Sequence, residues 1–282
     1  MPKKSKTSDS RVLALEGVRG IAAIMVVMFH ALISFFPAMS YGAYAGVVPH
    51  VRYDDNVFGS PVYLFINGIF AVGVFFVLSG FVLSISFFNA KNETDASREN
   101  RNQALKRYFR LMIPAGASVM IAWLILTIGV NYNQEAYQIT GSPRLSAFWT
   151  FEPNFFGALY QAFIGMFKGQ DWYNQPLWTM RWEFLGSFLV FGILGIFGKT
   201  KARFVAYIVG AIIFAQSYLL GFLIGMVIAD IYAHKKMIKI KTWQGALLAG
   251  LGLCFAIVNT YNMQGVSGFL LRINRSEERR VG

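Results

Sequence analysis

A few side chains in this sequence combine reactive chemistry with an apolar setting. Glu16, Arg19 and His30 interrupt the apolar run from Glu16 to Pro37, and Arg181 and Glu183 interrupt another from Pro176 to Phe197. Ionisable groups in such runs are costly and mark function by default. Arg19 and His30 are eleven positions apart. On a helix that is nearly three turns, so they share a face about 16 Å apart along the axis. Glu16, three residues before Arg19, reaches it on the same face. His30 lies seven residues before Pro37 and Glu183 seven after Pro176, each about 10 Å in from the end of its run. A histidine and a carboxylate at one depth would make a general base, because the carboxylate fixes the imidazole tautomer and raises its basicity. The bland alternative is that each satisfies unrelated helix neighbours. Arg107 and Arg110, at i and i+3, open the run that contains Pro114. Forked guanidinium donors suit phosphate groups, while the plainer role is to anchor a helix at the membrane rim. His50 and His234 fall in polar stretches and are expected to be solvated. They lack neighbours at ligand spacing, so no metal site is expected.

The elements that must position these groups are membrane helices. The chain has 282 residues, 55% apolar and only 14% charged, where a soluble domain carries about 25% charged residues. Its mean hydropathy of +0.47 excludes disorder and argues against a soluble globule. The single cysteine, Cys254, excludes an internal disulfide framework and cysteine-based metal binding. Ile66–Phe88, Leu111–Val130 and Phe204–Ala229 carry no charge, and each reaches the length of about 20 residues that a spanning helix needs. Trp243–Tyr261 is a further candidate. Phe155–Phe167 is shorter and reads as interfacial or re-entrant. The polar stretch Asn89–Asn102 reads as a solvated connection.

The net charge of +12 would suit nucleic acid in a soluble protein; here it fits basic loops flanking spans, and no nucleic-acid partner is expected. Basic residues cluster before the first span, between the second and third, after Phe197 and before Trp243. Loops 38–65 and 131–175 hold only Arg52, Arg144 and Lys168. The positive-inside rule therefore makes the N-terminus cytoplasmic and turns those two loops outward. Phe204–Ala229 has basic clusters at both ends, which favours a hairpin of short helices meeting near Gln216 and Ser217 over one tilted helix.

Five blocks resemble the acyltransferase-3 family of integral membrane acyltransferases. LEGVRGIAAIMVVMFH (15–30) is similar to the family's opening motif, an arginine followed after ten residues by histidine. VGVFFVLSGFVLS (72–84), RYFRLMIP (107–114), LWTMRWEF (177–184) and GFLIGMVIA (221–229) follow in the family's order. Arg181 departs from the pattern by placing a second charge beside Glu183. The resemblance implies transfer of an acyl group, often acetyl, from acyl-CoA to a hydroxyl, frequently on a cell-surface carbohydrate. It implies that His30 is the catalytic histidine and Glu183 the motif carboxylate, with Arg19, Arg107 and Arg110 on the donor side. Acyl-CoA, acetyl-CoA above all, is then a co-substrate rather than a bound cofactor.

The expectation is thus an all-α, polytopic membrane helical bundle in a bacterial inner membrane. Its partners would be acyl-CoA, a carbohydrate or lipid-linked glycan acceptor, and the bilayer. Residues 1–11 would be a cytoplasmic basic N-terminus, 12–261 the membrane domain and 262–282 a tail. The tail is basic where the orientation rule wants an outward segment, and RSEERRVG reads as non-native sequence. A C-terminally truncated chain is expected on that ground, an ordinary basic tail being the alternative. His30, Arg19 and Glu183 would equally serve a transporter as an ion relay, or a non-catalytic membrane protein as a structural network.

Overall fold

The computed structural model describes residues 6–37 and 65–234, with side chains from Leu15 onward in the first segment. His50, the Trp243–Tyr261 run and the basic tail lie outside the described residues. Among the described residues the fold is all helical. Helix α1 (Lys6–Phe35) is followed by α2 (Gly68–Phe88) and α3 (Glu93–Thr127). Three short helices come next, α4 (Asn133–Thr140), α5 (Pro143–Ala147) and α6 (Phe155–Phe163), then 3-10 turns at Gly165–Lys168 and Gln175–Leu177. Helices α7 (Trp178–Phe197), α8 (Arg203–Ile213) and α9 (Leu219–Ala233) complete the order. Four stretches among the described residues are long and apolar enough to cross a membrane: Leu15–Phe35, α2, α3 and Gln175–Phe197. This is the helical bundle that the charge-free runs imply.

Helix α2 is the hub and packs on α1, α3, α7 and α9. It carries no charge, and Asn67 caps it by accepting a hydrogen bond from the Phe70 amide at 3.0 Å. In lipid, helices gain little from burying apolar surface against each other, so small residues that let backbones touch decide which pairs form. The α2–α9 pair uses this device. A Cβ on Gly80 would overlap the Phe222 carbonyl oxygen, and one on Gly225 the Val77 carbonyl oxygen. Gly221 and Gly225 form the small-x-x-x-small pair on α9, and the Phe76 and Phe222 rings stack beside it at 5.2 Å.

The basic end of the bundle holds the end of α2, the start of α3, the end of α7 and the open end of the α8–α9 hairpin. Helix α3 begins earlier than expected. Asn92 caps it by accepting from the Asp95 amide at 2.8 Å, and Glu93 and Asp95 occupy its first turn. Carboxylates there complement the helix dipole. Most of the stretch read as a solvated connection is therefore helix.

Helices α8 and α9 form the hairpin. The Arg203 Nε, at the start of α8, donates to Asp230 Oδ2 near the end of α9 at 2.6 Å. The Tyr207 hydroxyl donates to the same oxygen at 3.1 Å, and His234 Nδ1 lies 2.7 Å from Oδ1. His234 caps α9 and stays exposed, as its polar surroundings suggested, while its ring reaches the buried Asp230. Asp230 is only 4% exposed. Asp230→Ala would strand the buried Arg203 charge, which typically costs about 3–5 kcal/mol. A lower thermal midpoint in detergent is the expected result, with Asp230→Asn intermediate; an unchanged midpoint for the alanine variant would show that the hairpin holds without this cluster.

Candidate active site

Two groups of polar residues are threaded by one cavity. The first group lies toward the basic end. Arg107 Nη2 donates to Glu183 Oε2 at 2.8 Å, and Arg107 Nε donates to Ser187 Oγ at 2.7 Å. Ser79 of α2 donates to the other carboxylate oxygen, Glu183 Oε1, at 2.6 Å. The ion pair is shielded, with side-chain exposures of 12% and 15%. Arg19 pairs with Glu16 at 3.3 Å, as the i, i+3 spacing predicts, and both remain about half exposed or more. The Arg19 charge also acts on Glu183. Arg110 is exposed one turn after Arg107, and its charge acts on Arg107. Arg19, Arg107 and Arg110 therefore form one cationic layer, with Glu183 inside it.

His30 lies toward the opposite end. Phe29 beside it packs on Gly68 at the start of α2. Ser142 Oγ, just before α5, donates to the Ile33 carbonyl at 2.7 Å and fixes the end of α1. Gly68 and Ser79 are eleven residues apart on α2, so the histidine level and the Glu183 level differ by about 16 Å.

Glu183 therefore does not sit at the depth that its count from Pro176 suggested, nor does it hydrogen-bond His30. The cause is the segment before α7. Helix α6 runs down α3, with the Phe155 ring on Trp123 at 5.1 Å and the Phe163 carbonyl accepting from the Tyr108 hydroxyl at 2.8 Å. Ala115, Val119, Ala122, Ala158 and Ala162 form the small-residue seam between the two helices. The chain then turns back, and Asn174 Nδ2 donates to Ser118 Oγ at 2.9 Å. Ser118 is nine residues short of the end of α3, about 14 Å down its axis. Helix α7 thus starts well inside the bundle and runs antiparallel to α3, with Glu183 and Ser187 meeting Arg107 and Phe191 meeting Asn100. The shortness of Phe155–Phe167 predicts an interfacial or re-entrant segment but carries no information on how deep Glu183 then lies.

A cavity of about 560 Å³ joins the two levels and is lined by both His30 and Glu183. Its walls are mainly apolar, Phe29, Val72, Phe76 and Trp178 among them, and at the His30 end it also meets Arg144, Asp171 and Gln175. His30 Nδ1 and Gln175 Oε1 are buried with no hydrogen-bond partner among the described residues. The Arg144 charge acts on both His30 and Asp171. Burial pushes the Asp171 carboxyl above the usual carboxylate range, while Arg144 pulls the other way.

The sequence reading missed Ser79, Ser187, Arg144, Asp171 and Gln175. Only Ser79, inside the VLSG block, carried a usable signal, as a hydroxyl within a charge-free span. Arg181, the unexpected charge beside Glu183, points outward with its guanidinium 5.6 Å from the Trp182 ring centroid, and so stays out of the Glu183 network.

The family model described as an acyltransferase domain, of the acyltransferase-3 type, matches residues 12–276. No curated protein and no solved structure matches the chain. The match covers the helices that carry His30, Arg107 and Glu183, together with the apolar bundle that holds them, and the chain accordingly belongs to the acyltransferase-3 family as an integral membrane acyltransferase.

Proposed function

We propose that the protein moves an acyl group, acetyl in the first instance, from cytoplasmic acyl-CoA to a hydroxyl of an outward-facing carbohydrate or lipid-linked glycan. The setting is a bacterial inner membrane with the N-terminus in the cytoplasm. The observation that carries this reading is the cavity that runs from Glu183, which is paired with Arg107, to His30. Its span of about 16 Å suits an extended pantetheine arm, with the nucleotide phosphates held by Arg19, Arg107 and Arg110 at the basic end. Arg107 has already committed Nε and Nη2, which leaves Nη1 for a phosphate oxygen. Glu183, tied to Arg107 and Ser79, is the carboxylate that orients this arginine rather than one that orients His30.

The chemistry then falls to His30. A protonated hydroxyl attacks a thioester poorly. An imidazole nitrogen takes the proton as the oxygen bonds to the carbonyl carbon, the carbon–sulfur bond breaks, and the proton passes to the departing CoA sulfur. Positioned general-base catalysis of this kind typically contributes about 10²–10⁴-fold. The apolar walls keep water from competing for the thioester.

The direct test is purified protein in nanodiscs, supplied with acetyl-CoA and bacterial glycans, with CoA release and glycan acetylation followed together. Absence of both would overturn the reading. Within this scheme Arg110→Ala should weaken acetyl-CoA binding about tenfold to a hundredfold, the loss of one charge-assisted hydrogen bond. Titration calorimetry checks it, and an unchanged donor Kd would make Arg110 a helix anchor.

A further inference from the structure

We propose that Asp171 and Gln175, braced by Arg144, form the acceptor subsite of the cavity, and that this subsite takes a neutral polyol, a sugar ring with vicinal hydroxyls. The inference rests on the acyl-transfer reading above and names the substrate class that the His30 end is built for.

The polar groups at that end are of a particular kind. Asp171 offers carboxylate oxygens, and Gln175 offers Oε1, which is buried and has no partner among the described residues. These oxygens accept hydrogen bonds, so a ligand at this end must bring donors, while the Gln175 amide nitrogen and Arg144 can donate to its oxygens; a hydroxyl does both. A lipid tail or a plain acyl chain brings none and would leave Gln175 Oε1 buried and unmatched, a costly arrangement. Vicinal hydroxyls can donate one hydrogen bond to each oxygen while a further hydroxyl on the same ring faces His30. A carboxylated sugar would set its own charge against Asp171. Arg144, whose charge acts on Asp171 and His30 alike, brings the carboxylate and the base into one electrostatic environment.

The segment is also rigid, as a recognition surface must be to avoid paying for its own ordering. The Gln170 amide donates to the Gly165 carbonyl at 2.9 Å, and the Tyr173 amide donates to Gln161 Oε1 at 3.2 Å. These two bonds bracket Asp171. The Tyr173 carbonyl accepts from Trp149 Nε1 at 3.1 Å, and its hydroxyl donates to the Asn154 carbonyl at 2.9 Å. Asn174 is tied to Ser118 as described above. On the other wall, the bond from Ser142 to Ile33 fixes the start of the Arg144 helix to α1, three residues beyond His30.

The test supplies acetyl-CoA with methyl α-D-glucopyranoside as the acceptor probe and reads the ratio of acetylated hexoside to free acetate. The ratio does not depend on how much folded enzyme survives a substitution. Asp171→Asn and Gln175→Ala should each lower it about tenfold to a hundredfold. An unchanged ratio in both variants would overturn the subsite while leaving the acyl-transfer reading intact. Wild-type protein that releases CoA but acetylates no methyl hexoside would overturn the polyol assignment, and wild-type protein that releases no CoA would remove both readings together. A second measurement needs no variant: the methyl hexoside should raise the thermal midpoint of the wild-type protein, and its fully O-methylated analogue, which has no donors, should not. Equal shifts would overturn the proposal.

Discussion

His30→Ala should abolish acyl transfer while leaving a folded, membrane-inserted protein. The cavity gives the reason for both halves of this result. His30 Nδ1 has no hydrogen-bond partner among the described residues, so this nitrogen anchors nothing in the described bundle. A positioned general base, the role proposed for His30, is worth about 10²–10⁴-fold in rate. The loss should fall on kcat, with the donor KM little changed, because the arginines proposed to hold the donor lie about 16 Å away. Size-exclusion chromatography in detergent reports the fold and CoA release reports the rate. A variant with near-wild-type turnover would show that another group removes the proton.

The second large effect concerns Glu183. Removing it alone leaves the Arg107 guanidinium inside the bundle without its carboxylate, at a typical cost of about 3–5 kcal/mol. Glu183→Ala should therefore express poorly and unfold early. Replacing both partners with apolar residues of similar size, Arg107→Met with Glu183→Leu, should recover most of that stability, since the penalty belongs to the stranded charge. The recovered protein should still fail to hold acetyl-CoA. Glu183→Gln should keep part of the fold and lower donor affinity without moving the pH–rate profile. A displaced profile would restore the earlier expectation that Glu183 and His30 act as one unit.

The contrast between the two residues shows what the sequence could and could not carry. Spans are legible because hydrocarbon thickness sets a length that charge-free runs must match. The Arg19–Glu16 pair is legible because both residues share one continuous helix, where spacing fixes geometry. The α8–α9 hairpin is legible from basic residues at both ends of a run too short for two spans. The depth of Glu183 is not legible, because it depends on how far residues 155–174 dip beside α3 before α7 begins. That is decided by the alanine seam and by the bond from Asn174 to Ser118, contacts between segments far apart in the chain. Asp171 and Gln175 were hidden for the same reason. In the sequence they are ordinary polar residues of a loop, and only the fold brings them to the cavity that His30 lines. Asn92 is a different case: a cap followed by acidic residues announces a helix start, and the polarity of the stretch masked it.

The α8–α9 hairpin reaches into the surrounding lipid in a way the long helices do not. Its arms have 11 and 15 residues and rise about 16 and 22 Å, against about 30 Å of hydrocarbon. Lipid beside so short an apolar element thins to meet it, at a cost of a fraction of a kcal/mol per Å. In a bilayer, such thinning would bring headgroups and water closer to the tip of the hairpin. There Tyr218 lies against Trp178, 5.3 Å between ring centroids, and Trp178 is a wall of the cavity. For the proposed reaction, a lipid-anchored acceptor entering through such a dimple would reach the cavity without leaving the membrane.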